Sequence, residues 1–166
     1  MKYITIILAF IVTPFSPLSA QDYDKGYAAY EAGNYAVALK EWRPLAEQGV
    51  AYAQQGIGDM YEYGYGVPQN YKEAAKWYRL ASVQGVAEAQ LMLGRVYWVG
   101  SRYGVIQDDL MGHMWFNIAS ANGQEDAYLF RDFLENGGGD MTEEDISTAQ
   151  AMARECMSSS YTKCGE

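Results

Sequence analysis

Positive charge is scarce in this 166-residue chain, which has 12 Lys and Arg against 21 Asp and Glu and a formal net charge of −9. Phosphate backbones need clustered Lys and Arg, so nucleic acid is excluded as a partner class. An anionic membrane surface is disfavoured for the same reason. There is a single histidine, His113, and only two cysteines, Cys156 and Cys164. A catalytic triad or a Cys/His zinc site therefore lacks its ingredients: no Ser or Cys has an evident route to His113, and the cysteines lie far from it in sequence. No Gly-Lys-Ser/Thr phosphate cradle is present. The Gly137-Gly138-Gly139-Asp140 stretch lacks the ligand spacing of an EF-hand and reads as a flexible acidic turn. No cofactor or metal is expected.

Long apolar runs are missing as well. The longest, Ile4 to Val12, follows Met1-Lys2 and is too short for a bilayer that needs roughly twenty residues. It reads instead as the core of a cleavable signal peptide over 1–20, with Pro14 and Pro17 breaking a helix and Ser19-Ala20 offering small residues before the cut. The mature chain is then expected to start at Gln21, in the periplasm or outside the cell, with no membrane insertion after cleavage. In an oxidising compartment Cys156 and Cys164 read as one disulfide tying the tail 159–166 to the last helix. A redox pair or half a metal site are the alternatives.

What the chain has in abundance is Gly, Ala, Tyr and Trp in register. Ala53, Gly58, Tyr61, Gly64 and Gly85 recur as Ala89, Gly94, Tyr97, Gly100 and Gly123. A period of this length marks stacked helix pairs that bury their apolar faces only against neighbours. In the unit 51–85, Ala53, Ile57, Met60, Tyr61 and Gly64 share one side of a first helix, helix A. Gly64 to Gln69 end it around Pro68, and Asn70 with Glu73 suggests a capping box for a second helix, helix B. That second helix is expected to bury Ala74, Trp77, Tyr78 and Ala81.

The unit 87–123 repeats this with Ala89, Leu93, Val96 and Tyr97, then Gly112, Trp115, Phe116 and Ala119, after a linker two residues longer. Gly58 and Gly94 stand inside helices at a cost of about 1 kcal/mol each relative to alanine, so their recurrence points to close helix approach. A looser unit, 22–49, precedes these, with a helix over 22–32 and a second helix that Pro44 should kink or interrupt near Arg43. The last unit, 125–158, ends in a helix capped by Thr142 with Ile146, Ala149, Ala153 and Met157 inward. The whole is expected to be all-α: a right-handed α-solenoid of about four helix pairs with a C-terminal capping helix.

Ala53-Gln54, Ile57-Gly58, Tyr61, Gly64-x-Gly66-Val67-Pro68-Gln69-Asn70, Ala74, Trp77-Tyr78, Ala81 and Gly85 together resemble the Sel1-like repeat family, relatives of tetratricopeptide repeats. The runs Glu41 to Gly49, Met114 to Ala119 and Met141 to Arg154 are similar to the opening and closing units of its exported bacterial members. The resemblance implies an adaptor that binds protein partners in the bacterial envelope, possessing a concave surface lined by helices A, and not an enzyme. Some Sel1-like proteins are linked to β-lactam chemistry, which leaves a β-lactam- or cell-wall-acting enzyme as the alternative. Ser160-x-x-Lys163 and Ser120-x-Asn122 match that chemistry by spacing, but no Lys-Thr-Gly accompanies them.

Opposite the buried stripe, helix A carries Tyr52, Gln55, Asp59 and Glu62, and one repeat later Glu88, Leu91, Arg95 and Trp98. Tyr52, Asp59, Glu62, Leu91, Arg95 and Trp98 are thus the candidate partner-binding residues of a monomeric adaptor, because Trp, Tyr and Arg dominate binding hot spots. The competing reading packs Leu91 and Trp98 against the following helix A, at Leu129 or Phe133. Tyr52, Tyr63, Tyr65 and Tyr103 are left as candidate surface aromatics.

Overall fold

The computed structural model describes residues 17–138 and 140–164; the leader expected over 1–20 lies outside it up to residue 16, as does Gly139 of the glycine run. Among the described residues the chain is wholly helical. Helices α1 (Pro17–Glu31) and α2 (Tyr35–Glu47) form the first pair, α3 (Ala51–Tyr63) and α4 (Tyr71–Ser82) the second, and α5 (Ala87–Val99) and α6 (Asp109–Ala121) the third. A short α7 (Ala127–Phe133) runs into a π-helical turn, Leu134–Gly138, before the capping helix α8 (Glu143–Ser158). From α1 to α6 each helix packs on its pair mate and on the following helix, and α7 and α8 both lie against α6. This is the expected helical solenoid.

Three close approaches build the pairs. A Cβ on Gly58 would meet the Tyr78 ring at 2.6 Å, and one on Gly94 would meet the Phe116 ring at 2.6 Å. In the first pair the equivalent glycine is Gly26, where a Cβ would meet the Trp42 indole at 2.3 Å. The first pair's connection is four residues shorter than the second's, so a strict 36-residue register passes over Gly26. Each helix B thus lays one aromatic ring on a bare stretch of its partner's backbone, which excludes water from both.

The turns are set by local chemistry. Gly64 takes φ 72° and closes α3 with its N–H donated to Met60. The Asn70 side chain accepts from the Glu73 N–H, but the reciprocal half of the expected box is missing because the Glu73 carboxylate is paired with Lys76. Asp108 caps α6 in the same way, accepting from Met111. Thr142 and Asp145 make a complete capping box on α8.

Several expectations need correction. Helix α2 runs uninterrupted through Pro44, whose carbonyl accepts from both the backbone and the side-chain amide of Gln48. Among the described residues the first helix extends back to Pro17, ahead of Asp22. Trp77 is only half-buried and Ala75 takes the inward place beside Ala74, Tyr78 and Ala81. On α8 the buried positions are Ala149, Ala153 and Cys156, with Ile146 and Met157 at the edge. Tyr103 is 2% exposed, so it is a core residue and not a surface aromatic. The longer linker forms a 3-10 turn, Gly100–Tyr103, that swings this ring inward.

Candidate functional site

The odd-numbered helices α1, α3, α5 and α7 supply one face, and its floor is a buried polar network at the second and third pairs. Glu62 is 4% exposed, a correction to its expected place on the open side of α3. Its two carboxylate oxygens are both taken: Tyr78 Oη lies 2.8 Å from Oε2 and Tyr103 Oη donates to Oε1 at 2.9 Å. Arg95 on α5 adds its charge, with Nη2 3.8 Å from Oε1. A buried carboxylate held by two phenols and a guanidinium has its charge compensated. The linker tyrosine therefore ties the third unit back to the second across 41 residues of sequence.

Asp59 is the less satisfied acid. Tyr78 Oη is also 2.8 Å from its Oδ1, yet a phenol carries one proton and can donate to only one of the two carboxylates. Burial is the main reason that the Asp59 carboxyl is pushed up to about 7; hydrogen bonds from Tyr78 and Gln55 pull it down, while Glu62 and Glu88 repel its charge. A protonated Asp59 donating to Tyr78, which in turn donates to Glu62, satisfies every member of this chain. No Lys or Arg among the described residues pairs with Asp59.

Around Asp59 stand tyrosines. Tyr23 and Tyr30 on α1 and Tyr63 on α3 are near enough for its charge to raise their phenols, with burial the larger cause in each case. Tyr23 lies against Tyr27 and Tyr52, with ring centroids 6.4 and 6.3 Å apart. Tyr65 stacks on Tyr35 at 4.5 Å and touches Tyr30 and Tyr63. The outermost rings are open to solvent: Tyr52 is 61% exposed, Tyr27 51% and Tyr63 48%.

The six candidate residues thus separate. Asp59, through Tyr78, and Arg95 both join the Glu62 network, and Tyr52 stays exposed on α3. Leu91 is 4% exposed and joins Phe116, Ala119, Ala127 and Leu134 in a core cluster. Trp98 meets Phe130 and Phe133 edge-on at 5.8 and 5.6 Å, so it serves packing between α5 and α7. Tyr23, Tyr27 and Tyr30 were missed because the loose first unit gave no reliable phase for α1.

The remaining motifs are placed elsewhere. His113 is fully buried on α6. Asn117 donates to its Nδ1 at 2.8 Å, so the proton sits on Nε2, which donates to Glu135 at 2.7 Å. Burial, the larger effect, holds its pKa below the usual value against the pull of Glu135. This is a strut between α6 and the π-helical turn. Ser160 sits at φ 53° in the turn after α8, and the Lys163 ammonium is turned to Glu155 at 3.7 Å. The Cys156 and Cys164 sulfurs are at bonding distance, 1.93 Å, closing the expected disulfide. Among the described residues no cluster of His, Cys, Asp and Glu could hold a metal ion.

A sequence model of the Sel1 repeat matches residues 51–86 and 87–124. A Sel1 repeat protein from Oxalobacter formigenes is 30% identical over 69% of this chain and 87% of its own, with a TM-score of 0.62. The chain belongs to the Sel1 repeat family. A protective antigen present in uropathogenic Escherichia coli strains, with an SLR fold, superposes with a TM-score of 0.77 at 24% identity. That match covers 86% of this chain and 31% of the antigen, so this chain spans about a third of that protein's length. No curated protein matches the sequence. Sel1 repeats commonly mediate protein–protein interaction, and proteins of this fold are typically non-catalytic scaffolds. No helix among the described residues is long and apolar enough to cross a membrane.

Proposed function

We propose that this Sel1 repeat chain is an exported, monomeric adaptor of the bacterial envelope, periplasmic or secreted, that holds a protein partner on the concave face of its odd-numbered helices. The observation that carries this reading is the tyrosine surface above Asp59. Tyr27, Tyr52 and Tyr63 keep about half or more of their area in solvent while standing on a floor fixed by the Glu62, Tyr78, Tyr103 and Arg95 network. Exposed aromatic rings on a rigid base bury area at little entropic cost, which is what a binding face needs. Tyr52, Asp59 and Arg95 meet the partner; Glu62 fixes Arg95, and Leu91 and Trp98 hold α5 to its neighbours. The Cys156–Cys164 bond agrees with an oxidising compartment, and an acidic chain of net charge −9 agrees with a protein rather than a nucleic-acid partner.

Site-specific photocrosslinking in the native envelope tests this. A benzoylphenylalanine at Tyr52 or Tyr63 is expected to trap one discrete partner, and the same probe at Ile106, 89% exposed in the α5–α6 linker, is not. Equal adducts from all three positions, or none from any, would reject the face. The geometry does not favour the enzyme alternative, since the Lys163 ammonium is paired with Glu155.

A further inference from the structure

We propose that the cleft between α6, α7 and α8 is a second binding site, which takes a carboxylate group on the guanidinium groups of Arg131 and Arg154. The cleft has a volume of about 340 Å³, at the small end of the usual range for ligand sites. It opens between Asn117 and Ser120 of α6, Arg131 of α7, and Gln150, Arg154 and Met157 of α8. It shares no residue with the tyrosine surface above Asp59, so it stands or falls apart from the adaptor reading.

The first support is charge. Only 12 Lys and Arg stand against 21 Asp and Glu in the chain, yet two arginines and no acid line this cleft. Arg154 is exposed and makes no ion pair among the described residues. The residues three and four places from it on α8 are Gln150, Ala151, Met157 and Ser158, so its own helix offers it no carboxylate. Its chain neighbour Glu155 is turned to Lys163 at 3.7 Å.

The second support is the state of Arg131, whose Nε is buried without a hydrogen-bond partner. Glu135 Oε1 lies 3.7 Å from that nitrogen but is held by His113 at 2.7 Å. Nη1 reaches Asn117 Oδ1 only at 3.5 Å, and Nη2 has no partner among the described residues. A guanidinium has five N–H donors, so most of this one is unserved by the protein. Leaving donors unpaired in a part-buried place is costly, and an acceptor entering the cleft relieves that cost. A carboxylate suits the pair best, because the planar fork of arginine engages both of its oxygens at once. The cleft lies on the C-terminal halves of α6 and α8, where the negative ends of the helix dipoles oppose the denser charge of a phosphate. Met157 supplies an apolar edge for the carbon chain that bears the carboxylate.

The probe is glutarate, a small dicarboxylate, with neutral glutaramide as its control. The end-blocked tripeptide Gly-Glu-Gly and its Gly-Gln-Gly counterpart present the same contrast on a polypeptide. Each is titrated into the isotope-labelled protein and followed by NMR. His113 is the only histidine, and Asn117 links its Nδ1 to Arg131, so its ring signals report on the cleft. The carboxylates are expected to move those signals and the Gln150 and Arg154 amides to saturation, and the neutral compounds to leave them in place. Tighter binding of glutarate assigns the site to a free acid, and tighter binding of Gly-Glu-Gly to an acidic side chain of a partner; either supports the site. Arg154→Gln, at an exposed position, should weaken binding roughly tenfold. Arg154→Lys keeps the charge but loses the fork, and should weaken it several-fold. Arg102→Gln, which removes a guanidinium lying over the Tyr71 ring, should change nothing. Equal binding of the neutral compounds, shifts that do not saturate, undiminished affinity in Arg154→Gln, an equal loss in Arg102→Gln, or tighter binding of inorganic phosphate than of either carboxylate would overturn the proposal.

Discussion

Gly94 lies where the Phe116 ring crosses α5, and a Cβ there would come within 2.6 Å of two ring carbons and 3.2 Å of the Gly112 carbonyl. Alanine is the better helix former by about 1 kcal/mol, so propensity alone favours Gly94→Ala. Overpacking at a site this tight costs about 1 to 3 kcal/mol and should win. Gly94→Ala is thus expected to lower the urea midpoint, and Phe116→Leu in the same chain to recover part of the loss. An increased midpoint in the single variant would show that the helices part without penalty. At Asp59 the residue scale also sets a pH effect. Its carboxyl is pushed from 3.8 up to about 7 in the folded chain, so the native state binds the proton more tightly than the unfolded one. The sign follows: stability is retained below about pH 4 and lost as pH rises towards 7. Comparison with Asp59→Asn isolates this group, because groups distant from it titrate alike in both proteins. The wild type should lose of order 2 kcal/mol relative to the variant between pH 4 and 8, after allowance for screening of a partly exposed group. Parallel stability profiles would place a charged, compensated Asp59 in the fold at all pH values.

At the scale of the elements, the repeat was legible where each helix carries its own phase. Gly58, Gly94, Tyr78, Trp115 and Phe116 stand where the periodicity put them, because a helix wheel fixes which side chains share a face. The wheel does not say what lies opposite that face. Leu91 and Trp98 look outward on α5 alone, but α7 closes over them and supplies Phe130 and Phe133. Glu62 was placed outside for the same reason, since the rings that cover it come from α4 and from a linker 41 residues away. Trp98→Ala is accordingly expected to cost about 2 to 4 kcal/mol by removing the aromatic joint between α5 and α7. Denaturant unfolding measures that loss, and a variant as stable as the parent would return Trp98 to the binding face. Pro44 shows the reverse error: proline forbids one backbone donor, yet packing of Trp42, Leu45 and Ala46 on either side holds α2 in one piece.

Across the whole molecule, stability rests on each pair covering the next, and the ends need separate devices. At the C-terminal end the tail folds back on earlier units. Tyr161 accepts from the Asn122 amide at 2.7 Å and its ring covers Gly85, while Cys156 and Cys164 are buried. The disulfide holds that clasp closed. On the chain-entropy model so short a loop contributes roughly 2 to 3 kcal/mol. Cys156→Ser with Cys164→Ser should lower the melting midpoint and speed amide exchange over residues 153–163, with little change in the second pair. Unaltered exchange in the tail would mean that Tyr161 alone secures it.

The sequence by itself determined the repeat and the extent of its second and third helix pairs, and it marked Gly58 and Gly94 as places of close helix approach, because these depend on spacing along one chain. The environment of each polar side chain was decided by the tertiary structure alone. Tyr103 turning inward, Glu62 being covered and Asp59 being left without a cation all follow from how successive pairs stack. Burial sets the cost of a charge, and burial is a property of neighbours distant in sequence. The same stacking set Tyr23 of the first pair against Tyr52 of the second, a contact with no local pattern to announce it.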